Sequence, residues 1–188
     1  MTQNTVQQLN GVLLDRDGTL IKDVPYNGDP DLVELMPGAV QAVARLRAAG
    51  LKVGIISNQS GIGRGLFTNE QLWAVNRRVD ELLGPMDAWF ICPHVPEDGC
   101  PCRKPQPGMV LAAASHWGLA VQSLAVIGDI GADIDAAEAA GCRSVLVPTA
   151  VTLQTEVAWA PQVAADLTAA VTALLDNAST PRSQQVAV

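Results

Sequence analysis

Hydrophobic residues along the chain fall into five short runs that alternate with longer segments of helical periodicity. A turn follows each run, and the runs occupy residues 11–14, 52–56, 87–91, 124–127 and 144–147. Apolar residues recur at helical spacing in the segments 38–49, 69–83, 107–117, 133–140 and 164–175. Alternation of this kind predicts an α/β fold, in which a Rossmann-like parallel sheet is flanked by helices.

The length and composition of the chain favour a single domain. With 188 residues, 48% of them hydrophobic, the chain is long enough to bury one aliphatic core. We predict that this domain spans residues 1–176. The remaining segment, 177–188, has a composition typical of a disordered tail.

Charge and hydropathy exclude several classes of partner. A net charge of −7 argues against binding to nucleic acid or to an anionic membrane surface, because both require a positive face. The first ten residues lack the basic start and apolar stretch of a secretory signal. We therefore expect a cytoplasmic protein, a monomer, that acts on a small molecule away from membranes.

One short loop concentrates the soft metal ligands of the chain. Four of them lie within eleven residues: Cys92, His94, Cys100 and Cys102. Three cysteines and a histidine suit tetrahedral Zn²⁺ with no position left for water, so we predict a structural zinc loop at 92–104 that fixes Lys104. The alternative is a disulfide plus a free thiol. It is less favoured because Cys100 and Cys102 are too close in sequence to bridge easily.

Acidic and polar residues follow three of the predicted strands. Asp15 and Asp17 follow the first, Ser57 follows the second and Asp129 follows the fourth. The pair Asp17-Gly18 is also typical of an ordinary turn. Because ligands gather at the carboxyl ends of parallel strands, together these residues favour a magnesium and phosphate site. We interpret Asp133 as the N-cap of the following helix.

The order of these motifs resembles that of the haloacid dehalogenase superfamily of phosphatases. The chain has DxDGT from Asp15, SN at Ser57, a lysine at 104 and GDxxxD from Gly128. The zinc loop ending in CRKP is similar to the branch that holds heptose bisphosphate and histidinol phosphate phosphatases. The segment 57–65 looks like the heptose enzymes, since the histidinol enzymes usually have an aspartate in place of Ser60. No interval leaves room for the large cap domain of other members.

The resemblance implies a role for each motif residue. Asp15 would be the nucleophile, and Asp17 would protonate the leaving group and then activate water. The Asp15 carboxylate, the Asp17 main-chain oxygen and Asp129 would hold Mg²⁺. Ser57 and Lys104 would hold the phosphoryl oxygens.

The resemblance also implies a set of substrate-binding residues: Asp23, Tyr26, Asn58, Gln59, Ser60 and Arg103. Arg103 would recognise a second phosphate or sugar hydroxyls. Tyr26 either contacts substrate or covers the core. Ile130 departs from some heptose phosphatases, which have a basic residue at this position.

Three functions are compatible with these residues. The first is a Mg²⁺-dependent phosphatase that removes the 7-phosphate of D-glycero-D-manno-heptose 1,7-bisphosphate, a small phosphorylated sugar, in the biosynthesis of nucleotide-activated heptose. The second is a histidinol phosphate phosphatase. The third is a non-catalytic binding module stabilised by zinc. The intact acidic residues and Lys104 argue against the third.

Overall fold

The computed structural model describes residues 8–179. Within them, five parallel strands form one sheet in the order β3-β2-β1-β4-β5. The strands are β1 (Gly11–Leu14), β2 (Lys52–Asn58), β3 (Ala88–Cys92), β4 (Leu124–Gly128) and β5 (Arg143–Leu146). The predicted fold class, a parallel sheet flanked by helices, is confirmed.

In the described part of the chain, seven α-helices connect or follow the strands. They are α1 (Ala39–Ala48), α2 (Ser60–Gly63), α3 (Asn69–Leu83), α4 (Gly108–Trp117), α5 (Gly131–Ala140), α6 (Gln154–Trp159) and α7 (Leu167–Ser179). Short 3₁₀ turns cover Pro30–Leu32, Pro96–Asp98 and Val121–Ser123. Because α7 continues to Ser179, residues 177–179 of the predicted tail are helical. The rest of that tail and residues 1–7 lie outside the described residues.

The core consists of two layers, one on each face of the sheet. In β1 the side chains alternate, so Val12 and Leu14 join the layer formed with α1, α3 and α7, whereas Leu13 joins the layer formed with α4 and α5. All three are completely buried. The sheet is therefore covered on both faces, and its carboxyl edge is where a ligand can approach.

The strand order brings the predicted site residues together. β1 lies at the centre of the sheet between β2 and β4, so the loops that carry Asp15, Ser57 and Asp129 are neighbours. Successive strands are added on one side of β1 as far as β3, and from β4 onward on the other side. The strand order therefore reverses between β1 and β4, the position where such folds form a binding crevice. The connection from β1 to α1 contains one 3₁₀ turn and two isolated bridges, and residues 8–179 form no separate domain over the crevice.

Candidate active site

Lys104 lies at the carboxyl edge of the sheet and is surrounded by carboxylates. Its Nζ donates hydrogen bonds to Asp15 Oδ1 and Asp133 Oδ1, both at 2.5 Å, and one to the main-chain oxygen of Ile56 at 3.2 Å. One carboxylate oxygen from each of Asp15, Asp129 and Asp133 lies within 4.8 Å of the others. We call these three carboxylates and Lys104 the acidic cluster. Its members are buried, with exposures between 0% and 6%.

Three carboxylates share one lysine in the acidic cluster, and this imbalance affects their pKa values. Burial raises the pKa of Asp129 to about 7, and the charge of Asp133 adds to the effect. Burial also raises the pKa of Asp15, although Lys104 opposes this shift. Burial by itself would lower the pKa of Lys104, but the negative charges of Asp133 and Asp15 have the larger effect and raise it above its ordinary value. The cluster therefore has capacity for a second cation.

Asp133 corrects one interpretation from the sequence. It is not the N-cap of α5 but lies in its first turn, where its Oδ2 accepts a hydrogen bond from the main-chain N–H of Ile130 at 3.3 Å. Its Oδ1 contacts Lys104. A Cβ atom on Gly128 would lie 2.3 Å from Oδ2 of Asp133, so only glycine permits this approach. Asp133 thus belongs to the site as well as to the helix start.

Asp129 is held by residues that the sequence motifs did not include. Thr149 Oγ1 donates a hydrogen bond to Asp129 Oδ2 at 3.2 Å, and Thr152 Oγ1 donates one to the Asp129 main-chain oxygen at 2.5 Å. A Cβ atom on Gly18 would lie 2.3 Å from Asp129 Oδ2. The main chain of Asp17 and Gly18 therefore passes directly beside this carboxylate.

Asp17 lies next to the acidic cluster, but its carboxylate is bound by other groups. Arg16 Nε lies 3.1 and 3.2 Å from the two Asp17 oxygens. Gln59 Nε2 donates to Asp17 Oδ2 and to Ser57 Oγ, both at 2.7 Å. Ser57 Oγ in turn lies 3.4 Å from Asp17 Oδ2. The predicted catalytic residues Asp17 and Ser57 are thus linked through Gln59, which is itself buried and was predicted to bind substrate.

Asn58 holds the main chain of Lys104. Its Nδ2 donates to the Lys104 carbonyl oxygen and its Oδ1 accepts from the Lys104 N–H, each at 3.0 Å. This paired contact links the end of β2 directly to the lysine. Asn58 was predicted to bind substrate, yet the polar atoms of its side chain are occupied by Lys104.

Two adjoining clefts open at this edge of the sheet. One, which we call the reactive cleft, has a volume of about 250 Å³, contains the predicted catalytic residues and is lined by Asp15, Asp17, Asp23, Ser57, Asn58, Lys104, Asp129, Ile130 and Val151. The other, of about 270 Å³, contains most of the predicted substrate-binding residues and is lined by Arg16, Asp17, Asp23, Val24, Pro25, Tyr26, Asn27, Asn58, Gln59, Ser60 and Gly61. The two clefts share Asp17, Asp23 and Asn58 in their lining.

Two predicted substrate residues differ in where they lie. Tyr26 is 51% exposed on the wall of the second cleft, so it does not cover the core. Arg103 lines a separate cleft on the cysteine loop, where its guanidinium donates a hydrogen bond to the main-chain oxygen of His94 at 3.3 Å. Ile130 forms part of the reactive cleft and presents an apolar surface there.

The four predicted zinc ligands converge as a second group, which we call the thiol cluster. The sulfur of Cys92 lies 3.2 Å from that of Cys102 and 3.6 Å from that of Cys100, and Cys100 and Cys102 are 3.4 Å apart. His94 Nδ1 lies 3.3 Å from the Cys102 sulfur. These separations exceed the ~2.05 Å of a disulfide and are near the ~3.8 Å between ligands of tetrahedral zinc. The cysteines are free, which argues against the disulfide alternative.

Known proteins are similar to this chain in sequence and in fold. A family model described as HAD-hydrolase-like matches residues 101–171. The D-glycero-β-D-manno-heptose-1,7-bisphosphate 7-phosphatase of Bordetella bronchiseptica is 41% identical over 143 residues, which is 73% of this chain and 80% of that protein. The enzyme of the same name from Pseudomonas aeruginosa is 39% identical over the same shares.

The chain belongs to the haloacid dehalogenase-like hydrolase family. Within it, the chain is a phosphomonoester hydrolase, as its named relatives are. A crystal structure of the B. bronchiseptica D,D-heptose 1,7-bisphosphate phosphatase, complexed with magnesium and phosphate, superposes with a TM-score of 0.79 at 35% identity. The alignment covers 89% of this chain and 99% of that protein. The relationship to the haloacid dehalogenase superfamily that was expected from the motifs is confirmed.

Proposed function

We propose that this phosphatase removes the 7-phosphate of D-glycero-D-manno-heptose 1,7-bisphosphate through an aspartyl-phosphate, in the biosynthesis of nucleotide-activated heptose. The observation that carries the proposal is the acidic cluster, in which a buried lysine and a buried strand-end aspartate are in contact beside an open cleft. The similarity to enzymes named for this reaction supports the choice of substrate.

Asp15 is the proposed nucleophile. One of its carboxylate oxygens attacks phosphorus, the bond from phosphorus to the sugar oxygen breaks, and the leaving oxygen takes a proton from Asp17. In the second step Asp17 removes a proton from water, the water oxygen attacks phosphorus, and the Asp15 carboxylate leaves. The place of Asp17 in the lining of both clefts supports these two roles.

Lys104 and Ser57 are the proposed ligands of the phosphoryl oxygens. Lys104 is positively charged, lines the reactive cleft and contacts the proposed nucleophile through its Nζ. Charge spreads over the phosphoryl oxygens in the transition state, so a fixed cation and a hydroxyl stabilise it more than the ground state. Asn58, which holds the lysine main chain, contributes to that placement.

The residues of the acidic cluster fit a hard divalent cation. The Asp15 and Asp129 carboxylates, with the Asp17 main-chain oxygen, would hold Mg²⁺, which prefers oxygen ligands. When bound, the ion reduces the repulsion between an anionic nucleophile and an anionic ester. Burial and the charge of Asp133 raise the pKa of Asp129, and a cation bound beside this carboxylate would oppose that shift.

The thiol cluster fits a structural Zn²⁺. Its four ligands leave no position for water, so its proposed role is to hold the 92–104 loop against the end of β3. Burial raises the pKa of the Cys92 thiol to about 12, with its hydrogen bond to Cys102 adding to the effect, so a metal ion is needed to keep it as thiolate. Free thiols also suit the reducing cytoplasm, the proposed location.

The test is turnover of a panel of phosphate esters by the purified protein with Mg²⁺. We expect heptose 1,7-bisphosphate to be hydrolysed with the highest kcat/KM and phosphorus NMR to identify heptose 1-phosphate as the product. Preference for histidinol phosphate would move the assignment to that substrate. Absence of phosphate release from every ester would instead identify a binding module.

A further inference from the structure

Arg16 is a charged residue in an unusual position. It lies between the proposed nucleophile and the proposed acid, and it is only 1% exposed. Arginine is rarely buried to this extent unless its charge is paired, because leaving the guanidinium without partners costs several kcal/mol. The pairing partner is the carboxylate of Asp17, contacted by Nε and by a terminal nitrogen at 3.1 Å.

The other end of the guanidinium contacts helix α3. Its second terminal nitrogen donates a hydrogen bond to Asn76 Oδ1 at 2.8 Å, and Asn76 is 1% exposed. Arg16 and Asn76 are 60 residues apart in sequence. The contact therefore links a helix outside every recognised motif to the carboxylate of Asp17.

Asn76 stands out among the buried residues of α3. The helix buries Leu72, Val75, Val79 and Leu83 on the same face, so an apolar side chain would be expected at position 76. A buried amide costs free energy unless its polar atoms are bonded. The Nδ2 of Asn76 has no hydrogen-bond partner among the described residues. The polar contact of this side chain is therefore the hydrogen bond that its Oδ1 accepts from Arg16.

We propose that Asn76 is a positioning residue for the general acid. Asn76 contacts the guanidinium of Arg16 on the side opposite Asp17 and so fixes its position. Because that guanidinium contacts both oxygens of Asp17, it sets the direction in which Asp17 donates its proton. Gln59 contacts only Oδ2 of Asp17, so Arg16 is the contact that reaches both oxygens. This inference rests on the proposed role of Asp17 as general acid.

A positioning role for Asn76 has a specific kinetic signature. A general acid matters most when the leaving group is a strong base, such as the alkoxide of a sugar, and least when it is p-nitrophenolate. A disturbed acid therefore lowers kcat/KM for alkyl phosphates selectively. A general loss of structure lowers kcat/KM for both classes by the same factor.

The experiment compares Asn76→Leu with the unaltered protein on p-nitrophenyl phosphate, on less reactive phenyl phosphates and on heptose bisphosphate. We expect kcat/KM for the sugar ester to fall about tenfold, and that for p-nitrophenyl phosphate to change by less than about twofold. Asn76→Asp, which keeps an acceptor for Arg16, should restore most of the difference. Val79→Ala, on the same buried face, should lower stability without changing the ratio of the two rates.

Equal losses on both classes of ester, or no loss on either, would overturn the proposal. If Asn76→Leu does not fold, Asn76→Ala carries the same comparison. The proposed substrate is tested separately by the unaltered protein. Failure to cleave heptose bisphosphate removes that substrate, while the leaving-group dependence on alkyl and aryl phosphates still decides the role of Asn76.

Discussion

The acidic cluster and the thiol cluster both gather metal ligands next to Lys104, but they are assembled in different ways. The carboxylates come from the ends of strands and the start of α5, are buried, and already have a cation among them in Lys104. In the thiol cluster only Cys92, the buried last residue of β3, belongs to a strand. The other three ligands are partly exposed and lie on the loop that follows, whose regular structure is one 3₁₀ turn.

This difference indicates which cluster depends on its ion. The sheet brings the carboxylates together whether or not Mg²⁺ is bound, and the lysine offsets part of their repulsion. The thiol loop contains one 3₁₀ turn and a hydrogen bond from Arg103 to the main-chain oxygen of His94, and no cation offsets its thiolates within the cluster, so bound zinc would be the main interaction that holds the four ligands together. Loss of Mg²⁺ should therefore stop the chemistry and leave the fold, whereas loss of zinc should loosen the loop first.

The largest expected effect is that of Asp15→Asn. The amide keeps the shape of the side chain but cannot act as a nucleophile, so kcat should fall by at least about 10⁴-fold. Circular dichroism should remain that of the unaltered protein. A variant that keeps more than a tenth of the rate would show that another residue attacks phosphorus.

Lys104→Met should affect both rate and stability. The substitution leaves three buried carboxylates without their lysine, which should lower the free energy of unfolding of the metal-free protein by about 3–5 kcal/mol. It should also reduce kcat by about 10²–10³-fold because a ligand of the transition state is lost. Urea unfolding with and without Mg²⁺ measures the first effect.

Mg²⁺ should restore part of the stability of Lys104→Met, since it supplies a replacement cation to the same carboxylates. Lys22→Met is the matched control, because Lys22 forms an exposed ion pair with Glu34 whose loss should cost less than about 1 kcal/mol. Equal destabilisation by the two substitutions would mean that Lys104 does not neutralise the cluster.

Cys102→Ser tests the dependence of the loop on zinc. Removing one ligand should lower the zinc content measured by mass spectrometry, increase hydrogen exchange in 92–104, and reduce kcat/KM by about 10–100-fold. The effect should be smaller than that of Lys104→Met because Asn58 still holds the lysine main chain.

The control for this loss is Cys142→Ser, since Cys142 lies outside the thiol cluster and packs against the core beside α4 and α5. It should keep full zinc content. If zinc-free Cys102→Ser retains full activity, the loop does not position Lys104, and Asn58 alone is sufficient.

The sequence predicted the regular framework better than the contacts inside the site. The five strands are continuous apolar runs and the longer helices have apolar residues at helical spacing, so the predicted bounds of these elements were close to the observed ones. The helices α2 and α6 were not predicted because four to six residues are too few for a helical period to be recognised.

Within the site, a motif identifies which residues meet but not which of them bind each other. Asn58 and Gln59 were predicted to bind substrate, and both line the second cleft; the sequence did not show that their side chains are also hydrogen-bonded to proposed catalytic residues. Asp133 was interpreted as an N-cap because it precedes a predicted helix, and capping alone is enough to explain an acidic residue at that position. Thr149 and Asn76 have no motif at all, because only the tertiary fold brings them to Asp129 and Arg16.

The smallest expected effect is that of Thr149→Val, which tests how finely the acidic cluster is positioned. The substitution keeps the shape of the side chain but removes the hydroxyl that donates to Asp129 Oδ2, a hydrogen bond that helps to keep the carboxylate ionised. One such bond is worth about 1 kcal/mol, so the Kd for Mg²⁺ measured by calorimetry should rise about fivefold. Thr149→Ser keeps the hydroxyl and should bind normally. If Thr149→Val binds Mg²⁺ as tightly as the unaltered protein, the Thr149 hydroxyl is not needed to position Asp129. The acidic cluster would then depend on the sheet alone, in contrast to the thiol loop, which we expect to depend on its ion.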